Sequence, residues 1–284
     1  MLSRVGNPPR ALGMADRTRA LVRACHPEPT VAVTTLTTVL FVSAGNTVLT
    51  CLTGAAAILT GQLSIGWSND LIDRGRDSTA HRSDKPLATG RLTIAELRTA
   101  CLIAVLLTVP LSLALGWRPG LVHLAAVGAG WLYNYRLKAG VLSVLPYLFA
   151  FGALPVIATT ALAHPHLPPY RIVLAAALIG AAAHYANVLP DIADDLAAGV
   201  RGLPQQAGVR GATGGAAAAS LLASALLLWV RPGWPTAIGL GAVAAVLTLA
   251  ARAAARGRPA TVFQAIIGCA AVNVALIVAT GVLR

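Results

Sequence analysis

Two nine-residue stretches hold six of the ten acidic residues in this 284-residue chain. The first acidic window contains Asn69, Asp70, Asp73 and Asp77. The second acidic window contains Asn187, Asp191, Asp194 and Asp195. Carboxylate and amide oxygens suit Mg²⁺, which proteins commonly bind through carboxylates together with substrate phosphate oxygens. The two windows therefore predict chemistry on a phosphorylated substrate accompanied by one or two Mg²⁺ ions.

The spacing inside the windows places their polar side chains on common helix faces. Asn69 and Asp73 are four residues apart, which on a helix separates them by about 6 Å along the axis. Asn187, Asp191 and Asp195 repeat this step. A single aspartate at a helix end is commonly solvated or a cap, whereas six close carboxylates repel one another unless cations neutralise them. We therefore interpret the windows as two halves of one site.

Basic residues near the windows supply charge that complements a diphosphate. They are Arg74, Arg76, Arg82 and Lys85 after the first window, Arg136 and Lys138 farther along, and Arg201 after the second window. Cationic side chains bind phosphate oxygens through charge-assisted hydrogen bonds and stabilise a departing diphosphate. The alternative is that these residues only report membrane topology. The glycine-rich stretch 211–215 lacks the Lys-Ser/Thr ending of a P-loop.

Composition indicates which elements must position these residues. The chain is 56% hydrophobic and 11% charged, with a mean hydropathy of +0.72, whereas a soluble domain carries about 25% charge. Apolar runs of about 20 residues, each long enough to span a bilayer, recur along the chain. The pattern predicts an all-α polytopic membrane protein rather than an Ala/Leu-rich soluble helical protein. The nine predicted spans are 31–51, 55–70, 94–116, 121–135, 141–162, 172–191, 216–230, 236–252 and 261–283, with a turn at Gly54 and polar loops at 71–93 and 192–215.

The basic residues indicate an orientation in the membrane. With the N-terminus in the cytoplasm, 18 of the 22 Lys and Arg residues fall on the cytoplasmic side of the nine spans. The formal net charge of +12 is thus explained by topology, and we do not expect nucleic-acid binding. We predict a multi-pass protein of the cytoplasmic (inner) membrane with its active site on the cytoplasmic side. Residues 1–29 form a basic arm with a short surface helix near Asp16–Ala24, and residues 30–284 form the membrane domain.

Four segments together resemble the UbiA superfamily of intramembrane prenyltransferases. Asn69-Asp70-x-x-Asp73-x-x-x-Asp77 matches its NDxxDxxxD motif, and Asp191-x-x-x-Asp195 matches its second DxxxD motif. The segment 133–138 resembles its Tyr…Lys stretch after the fourth helix. The segment 85–90 resembles its Arg-Pro-x-x-x-Gly stretch, with Lys in place of Arg, which keeps the charge but loses the bidentate fork.

The resemblance implies nine helices around a central cavity, two Mg²⁺ ions held by the two windows, and an allylic isoprenyl diphosphate whose tail points toward the lipid. The expected metal ligands are Asn69, Asp73, Asp77, Asp191 and Asp195. The expected diphosphate-binding residues are Arg74, Arg82, Lys85, Arg136 and Lys138. The expected catalytic residues are Asp70, Asp73, Asp191 and Lys138, with Asp70 orienting the metal and the diphosphate.

Other residues are candidates for the cavity wall and the acceptor site. Aromatic faces can stabilise an allylic cation, and the candidates are Trp67, Tyr133, Tyr147 and Tyr185, for which ordinary packing is the alternative. Asn187 is expected to line the cavity, and His184 is expected to be a polar lining or packing residue, with a substrate contact as the alternative. Arg23, His26 and Glu28 stand before the first span, where they either bind an acceptor or lie at the membrane interface.

Three functions fit the windows to different degrees. The leading hypothesis is Mg²⁺-dependent transfer of an isoprenyl group to an aromatic or other lipophilic acceptor, with release of diphosphate. The alternative is a terpene cyclase of the same superfamily, which ionises the same donor without an acceptor. A cation-coupled transporter is a third hypothesis, but it predicts internal repeats and charges at the bilayer midplane, and both windows lie at one face.

Overall fold

The computed structural model describes residues 13–79 and 82–284, and these residues form helices joined by turns, with no strand among them. In chain order the helices are α1 (Met14–Ala24), α2 (Pro27–Ala44), α3 (Val48–Thr79), α4 (Ile94–Leu113), α5 (Trp117–Tyr135), α6 (Leu145–Thr160), α7 (Tyr170–Val188), α8 (Ile192–Ala197), α9 (Leu203–Val230), α10 (Trp234–Ala255) and α11 (Pro259–Thr280). Helix α1 matches the predicted surface helix. The first twelve residues of the predicted arm lie outside the described residues.

Seven helical segments of the described chain are long and apolar enough to cross a membrane. They are α3, α4, residues 141–160, residues 170–197, α9, α10 and α11. The other two predicted spans coincide with α2 and α5, which are helical. Threonines in α2 and the polar residues Arg118 and His123 in α5 lower the hydropathy of these two helices.

The predicted turn at Gly54 is wrong. Helix α2 ends seven residues earlier than the predicted span because Gly45 adopts a left-handed conformation with φ 92°, which is costly for residues with a side chain. Gly54 lies inside α3 instead, where an added Cβ would sit 2.8 Å from Cζ of Phe41. Gly54 therefore allows α2 and α3 to pack closely, and it does not form a turn.

The predicted loop 71–93 is helical in its first part, and the predicted loop 192–215 is largely helical. Helix α3 continues through the first window to Thr79, and Arg76 pairs with Asp73 one turn before it on the same helix face. Within the second window the chain forms a 3₁₀ turn at Leu189–Asp191, which contains Pro190, and then α8. Helix α9 begins at Leu203, well inside the predicted loop.

The long helices pack side by side in a closed sequence. Helix α2 contacts α3, α3 contacts α5, and the contacts continue through α6, α7 and α9 to α10 and α11, which returns to α2. Small residues permit the closest approaches, as in many membrane bundles. A Cβ on Gly180 of α7 would lie 2.5 Å from the backbone oxygen of Tyr147 in α6. The arrangement places the ends of α3 and α7, and therefore both windows, at the same cavity.

Candidate active site

A single cavity between the helices is lined by residues from both acidic windows. The lining residues of the windows are Asn69, Asp73, Asp77, Asn187, Asp191 and Asp195. The predicted cations Arg82, Lys85 and Lys138 line the same cavity. The structure thus brings together two sequence segments more than a hundred residues apart, as the interpretation of two half-sites requires.

Asp73 lies at the centre of the first window and contacts two cations. The Lys138 ammonium donates to one carboxylate oxygen, and the Arg76 guanidinium donates to the other. Lys138 Nζ also lies 3.3 Å from Oδ1 of Asn69. Because Asp73 and Lys138 are largely shielded from solvent, this pair is screened less than a surface ion pair.

Asp70 lies on the neighbouring face of α3 and is 1% exposed. Its Oδ1 accepts a hydrogen bond from Lys85 Nζ at 2.7 Å and lies 3.4 Å from Nε2 of His26. His26 has a φ of 56°, and it is the only non-glycine residue with positive φ in the described chain. Oδ2 of Asp70 is buried without a hydrogen-bond partner among the described residues. Burying an acceptor without a partner costs free energy. Oδ2 of Asp70 can therefore accept a further hydrogen bond or contact a cation.

Arg82 connects the two windows. Its Nη2 lies 3.1 Å from Oδ1 of Asp191, and its Nη1 lies 3.7 Å from Oδ2 of Asp194. The same guanidinium donates to both oxygens of Asp84 at 2.9 Å. These hydrogen bonds from Arg82 lower the pKa of Asp84 to about 2. Asp84 therefore stays ionised at neutral pH and holds Arg82 at the mouth of the cavity.

Gln205 is a residue of the site that sequence reasoning missed. Its Nε2 donates to Oδ2 of Asp195 at 2.8 Å, and its side chain lines the cavity. Gln205 lies in the first turn of α9, which the sequence pattern assigned to a loop. The only signal for this helix start was Pro204 after Gly202 and Leu203, a placement typical of a first turn.

Two predicted aromatic residues form one wall of the cavity. The rings of Tyr133 and Tyr147 meet edge to face with centroids 5.2 Å apart. His184 lies behind them, 5.5 Å from the Tyr133 centroid and 4.7 Å from that of Tyr147. Its Nε2 lies 3.0 Å from the hydroxyl of Ser143, so His184 supports the two tyrosines rather than lining the cavity itself. Asn187 Nδ2 lies 3.5 Å from the Tyr147 hydroxyl.

Seven predicted site residues do not line the cavity: Arg23, Trp67, Asp70, Arg74, Arg136, His184 and Tyr185. Trp67 instead donates from Nε1 to the backbone oxygen of Leu21 at 2.9 Å and holds α1 against α3. Tyr185 packs among the buried residues between α7, α9 and α10. The three arginines are exposed, and Arg74 donates to the backbone oxygen of Leu71. Their positions follow from the helix period, which turns neighbouring residues onto different faces.

Below its charged mouth the cavity is mainly apolar. Its deeper wall is formed by aliphatic and aromatic side chains that include Leu36, Ile58, Val127, Phe151, Leu154 and Ile266. A cavity of this kind accommodates a molecule with an anionic head and an apolar tail. The fold and the site therefore define a helical membrane protein whose cavity has a charged mouth and a mainly apolar interior.

The oxygen ligands at the mouth are the kind that Mg²⁺ prefers. In the described parts of the chain, no three His, Cys, Asp or Glu side chains converge as metal ligands. The carboxylates of Asp73 and Asp191 are instead paired with Lys138, Arg76 and Arg82. These carboxylates can bind a divalent metal ion once the basic side chains paired with them turn to a bound anion. The buried Oδ2 of Asp70 adds a further acceptor within the first window.

Comparison with known proteins identifies the family. The model of the UbiA prenyltransferase family matches residues 26–277. The chain is similar to the apo structure of a UbiA homolog from Aeropyrum pernix K1, with a TM-score of 0.69 and 19% identity over 89% of this chain and 98% of that one. No curated protein sequence matches the chain.

Two further solved structures share the fold. A UbiA homolog from Archaeoglobus fulgidus bound to GPP and Mg²⁺ has a TM-score of 0.65 and 18% identity over 92% of this chain and 98% of that one. A structure of digeranylgeranylglyceryl phosphate synthase has a TM-score of 0.64 and 15% identity over 94% of this chain and 99% of that one. The chain belongs to the UbiA prenyltransferase family, which confirms the resemblance seen in the motifs.

Proposed function

We propose that this protein transfers an isoprenyl group from an allylic diphosphate to an aromatic or other lipophilic acceptor and releases diphosphate. The observation that carries the proposal is the single cavity that joins both acidic windows and three cations above an apolar interior. The Archaeoglobus homolog bound to GPP and Mg²⁺ supports this assignment.

The basic residues at the mouth bind the diphosphate in this proposal. Lys138, Lys85 and Arg82 line the cavity, and each is paired with a carboxylate of the site. When a diphosphate enters, their donors turn to its oxygens in charge-assisted hydrogen bonds. Arg136 and Arg74 are exposed outside the lining, and their contribution is then limited to attracting the anion from a distance.

The acidic windows hold the metal. The proposed ligands are Asn69, Asp73, Asp77, Asp191 and Asp195, and all five line the cavity. Asp70 lies behind this set and accepts a hydrogen bond from Lys85, and it positions that residue for the diphosphate. Two bound Mg²⁺ ions would supply charge stabilisation for the diphosphate as a leaving group. Gln205 holds the Asp195 carboxylate in position.

The interior of the cavity protects the reacting carbon. As the C–O bond to the diphosphate lengthens, positive charge develops on the allylic group, and the faces of Tyr133 and Tyr147 stabilise it. The T-shaped packing of these two rings and of His184 behind them fixes the aromatic wall. The apolar lining excludes water, which would otherwise capture the cation. The acceptor then attacks the allylic carbon and loses a proton.

We also propose the membrane topology that the sequence predicts. Helices α2 and α5 complete a set of nine spans together with the seven apolar segments. With the N-terminus in the cytoplasm, the mouth of the cavity opens to the cytoplasmic side of the inner membrane. This placement gives the site access to a water-soluble head group and to lipid-soluble partners.

A single incubation series tests the proposal. The purified protein is incubated with Mg²⁺ and allylic diphosphates of increasing chain length, with and without aromatic acceptors, and the products are identified by mass spectrometry. We expect diphosphate release coupled to an acceptor whose mass has grown by the isoprenyl group. An acceptor-independent hydrocarbon would identify a terpene cyclase instead, and no diphosphate release with any donor would contradict both functions.

A further inference from the structure

Two polar side chains line the apolar depth of the cavity and have no part in the chemistry at its mouth. Gln62 projects from α3 and His123 from α5, and both line the cavity. Gln62 lies seven residues before Asn69, which places it about 10 Å deeper along the helix axis. Its side chain lines the cavity, and its amide makes no hydrogen bond to any of the described residues.

The hydrogen bonds of His123 determine what it presents to the cavity. Its Nδ1 lies 2.7 Å from the hydroxyl of Ser112, and that hydroxyl donates to the backbone oxygen of Thr108 at 2.5 Å. Because a hydroxyl has one hydrogen, Ser112 must accept from Nδ1 when it donates to Thr108. In the neutral imidazole, Nε2 therefore carries a lone pair and is a hydrogen-bond acceptor.

A glycine makes room for this ring. An added Cβ at Gly61 of α3 would lie 3.2 Å from Nε2 of His123 and 2.8 Å from Cγ2 of Val127. His123 is 3% exposed, so its ring is held from behind by Ser112 and enclosed between α3 and α5. The imidazole therefore has a fixed position beside the cavity.

We propose that Gln62 and His123 form a polar subsite for the acceptor, which carries a hydroxyl group on the side remote from the carbon that becomes prenylated. A hydrocarbon tail at this depth would leave both polar side chains unpaired, which is unfavourable. A hydroxyl donates to Nε2 of His123 and accepts from the Gln62 amide, and this satisfies both. The proposal rests on the proposed prenyl transfer and names the class of its acceptor.

Binding of a pair of matched probes tests the subsite without requiring turnover. Naphthalene-2,7-diol and 2-naphthol differ only in a hydroxyl on the remote ring, and their affinities are measured on the full-length protein with Mg²⁺ by calorimetry. We expect the wild type to bind the diol about tenfold more tightly. Gln62→Leu and His123→Phe should reduce this ratio to near one. Thr60→Val is the control, since Thr60 bonds only to its own helix, and it should keep the ratio.

Three outcomes would overturn the proposal. The first is that the wild type binds both probes with equal affinity. The second is that the affinity ratio is unchanged in both variants. The third is that the variants keep the ratio of the two probes but lose affinity for an allylic diphosphate. If His123→Phe fails to fold, Gln62→Leu alone decides the question, because Gln62 is only half-buried. Failure of the proposed prenyl transfer would be seen separately, because no diphosphate would be released. The ratio of the affinities for the two probes could still be measured in that case.

Discussion

Nη2 of Arg82 lies 3.1 Å from Oδ1 of Asp191, which joins the segment after the first acidic window to the second. Arg82 is one of several basic side chains that form ion pairs with the carboxylates expected to bind Mg²⁺. Lys138 and Arg76 do the same at Asp73. Binding of a metal–diphosphate complex would therefore exchange partners within one set of charges, with the cations moving to the diphosphate and the carboxylates to the metal.

Lys138 and Arg136 are neighbours with different predicted effects. Lys138 contacts Asp73 and Asn69 inside the cavity, whereas Arg136 is exposed. We expect Lys138→Met to raise the KM for the allylic diphosphate by at least about tenfold through loss of a charge-assisted hydrogen bond. Arg136→Met should change it by less than about twofold, because exposed charges act weakly. Equal effects of the two variants in steady-state kinetics would contradict the assignment.

The Asp70–Lys85 pair makes a prediction about stability. The side chains are 1% and 12% exposed, and removing one member of a buried pair leaves an uncompensated charge that costs about 3–5 kcal/mol. We expect Asp70→Leu to lower the unfolding free energy by this order, measured by thermal or denaturant unfolding in detergent. The double variant Asp70→Leu/Lys85→Met should recover most of the loss. A double variant that is as unstable as Asp70→Leu would show that the pairing is not the cause.

Periodicity within each window predicted which of its residues lie together. The four-residue steps paired Asn69 with Asp73 and Asp191 with Asp195, and all four residues line the cavity. The same steps could not tell which neighbours face it. Trp67 is two residues from Asn69, and that offset turns its ring toward α1. Gln205 was missed because its role depends on tertiary contact with Asp195 rather than on a local pattern.

The extent of the helices was less predictable than their existence. The first window is rich in charge, and the sequence pattern ended the helix there, yet α3 continues to Thr79. Partners from distant segments, such as Lys138 and Lys85, neutralise its carboxylates. In the second window α7 ends at Val188, three residues before the end of the predicted span, and Pro190 lies in the 3₁₀ turn that follows. Local propensity thus did not identify a helix stabilised by tertiary ion pairs.

A glycine beside the site makes a further prediction. An added Cβ on Gly66 of α3 would lie 2.4 Å from the backbone oxygen of Cys25, and the backbone cannot yield cheaply. We expect Gly66→Ala to destabilise the protein by about 1–3 kcal/mol and to weaken diphosphate binding, because the displaced segment carries His26, whose Nε2 lies 3.1 Å from Nζ of Lys85. Gly128→Ala in α5 is the control, since its Cβ would meet nothing within 4 Å. That change should stabilise the helix by up to about 1 kcal/mol. Equal unfolding temperatures for the two variants would refute the packing argument.

Removal of divalent metal should affect both activity and stability. We expect excess EDTA to abolish product formation and added Mg²⁺ to restore it. In the absence of turnover, Mg²⁺ with a non-reactive diphosphate analogue at about 100 times its Kd should stabilise the fold by about 2.7 kcal/mol, seen as a raised unfolding temperature. Full activity in EDTA, or equal stabilisation by the analogue without Mg²⁺, would remove the metal from the account.

The most direct measurement compares three carboxylates in one assay. Diphosphate release from an allylic diphosphate with Mg²⁺ is measured for Asp73→Asn, Asp191→Asn and Asp16→Asn, each checked for wild-type unfolding behaviour. Asp73 and Asp191 line one cavity from opposite windows, while Asp16 is an exposed residue of α1. We expect the first two variants to lose at least about 100-fold in rate and Asp16→Asn to keep wild-type activity. Near wild-type release by either cavity variant would contradict a shared site.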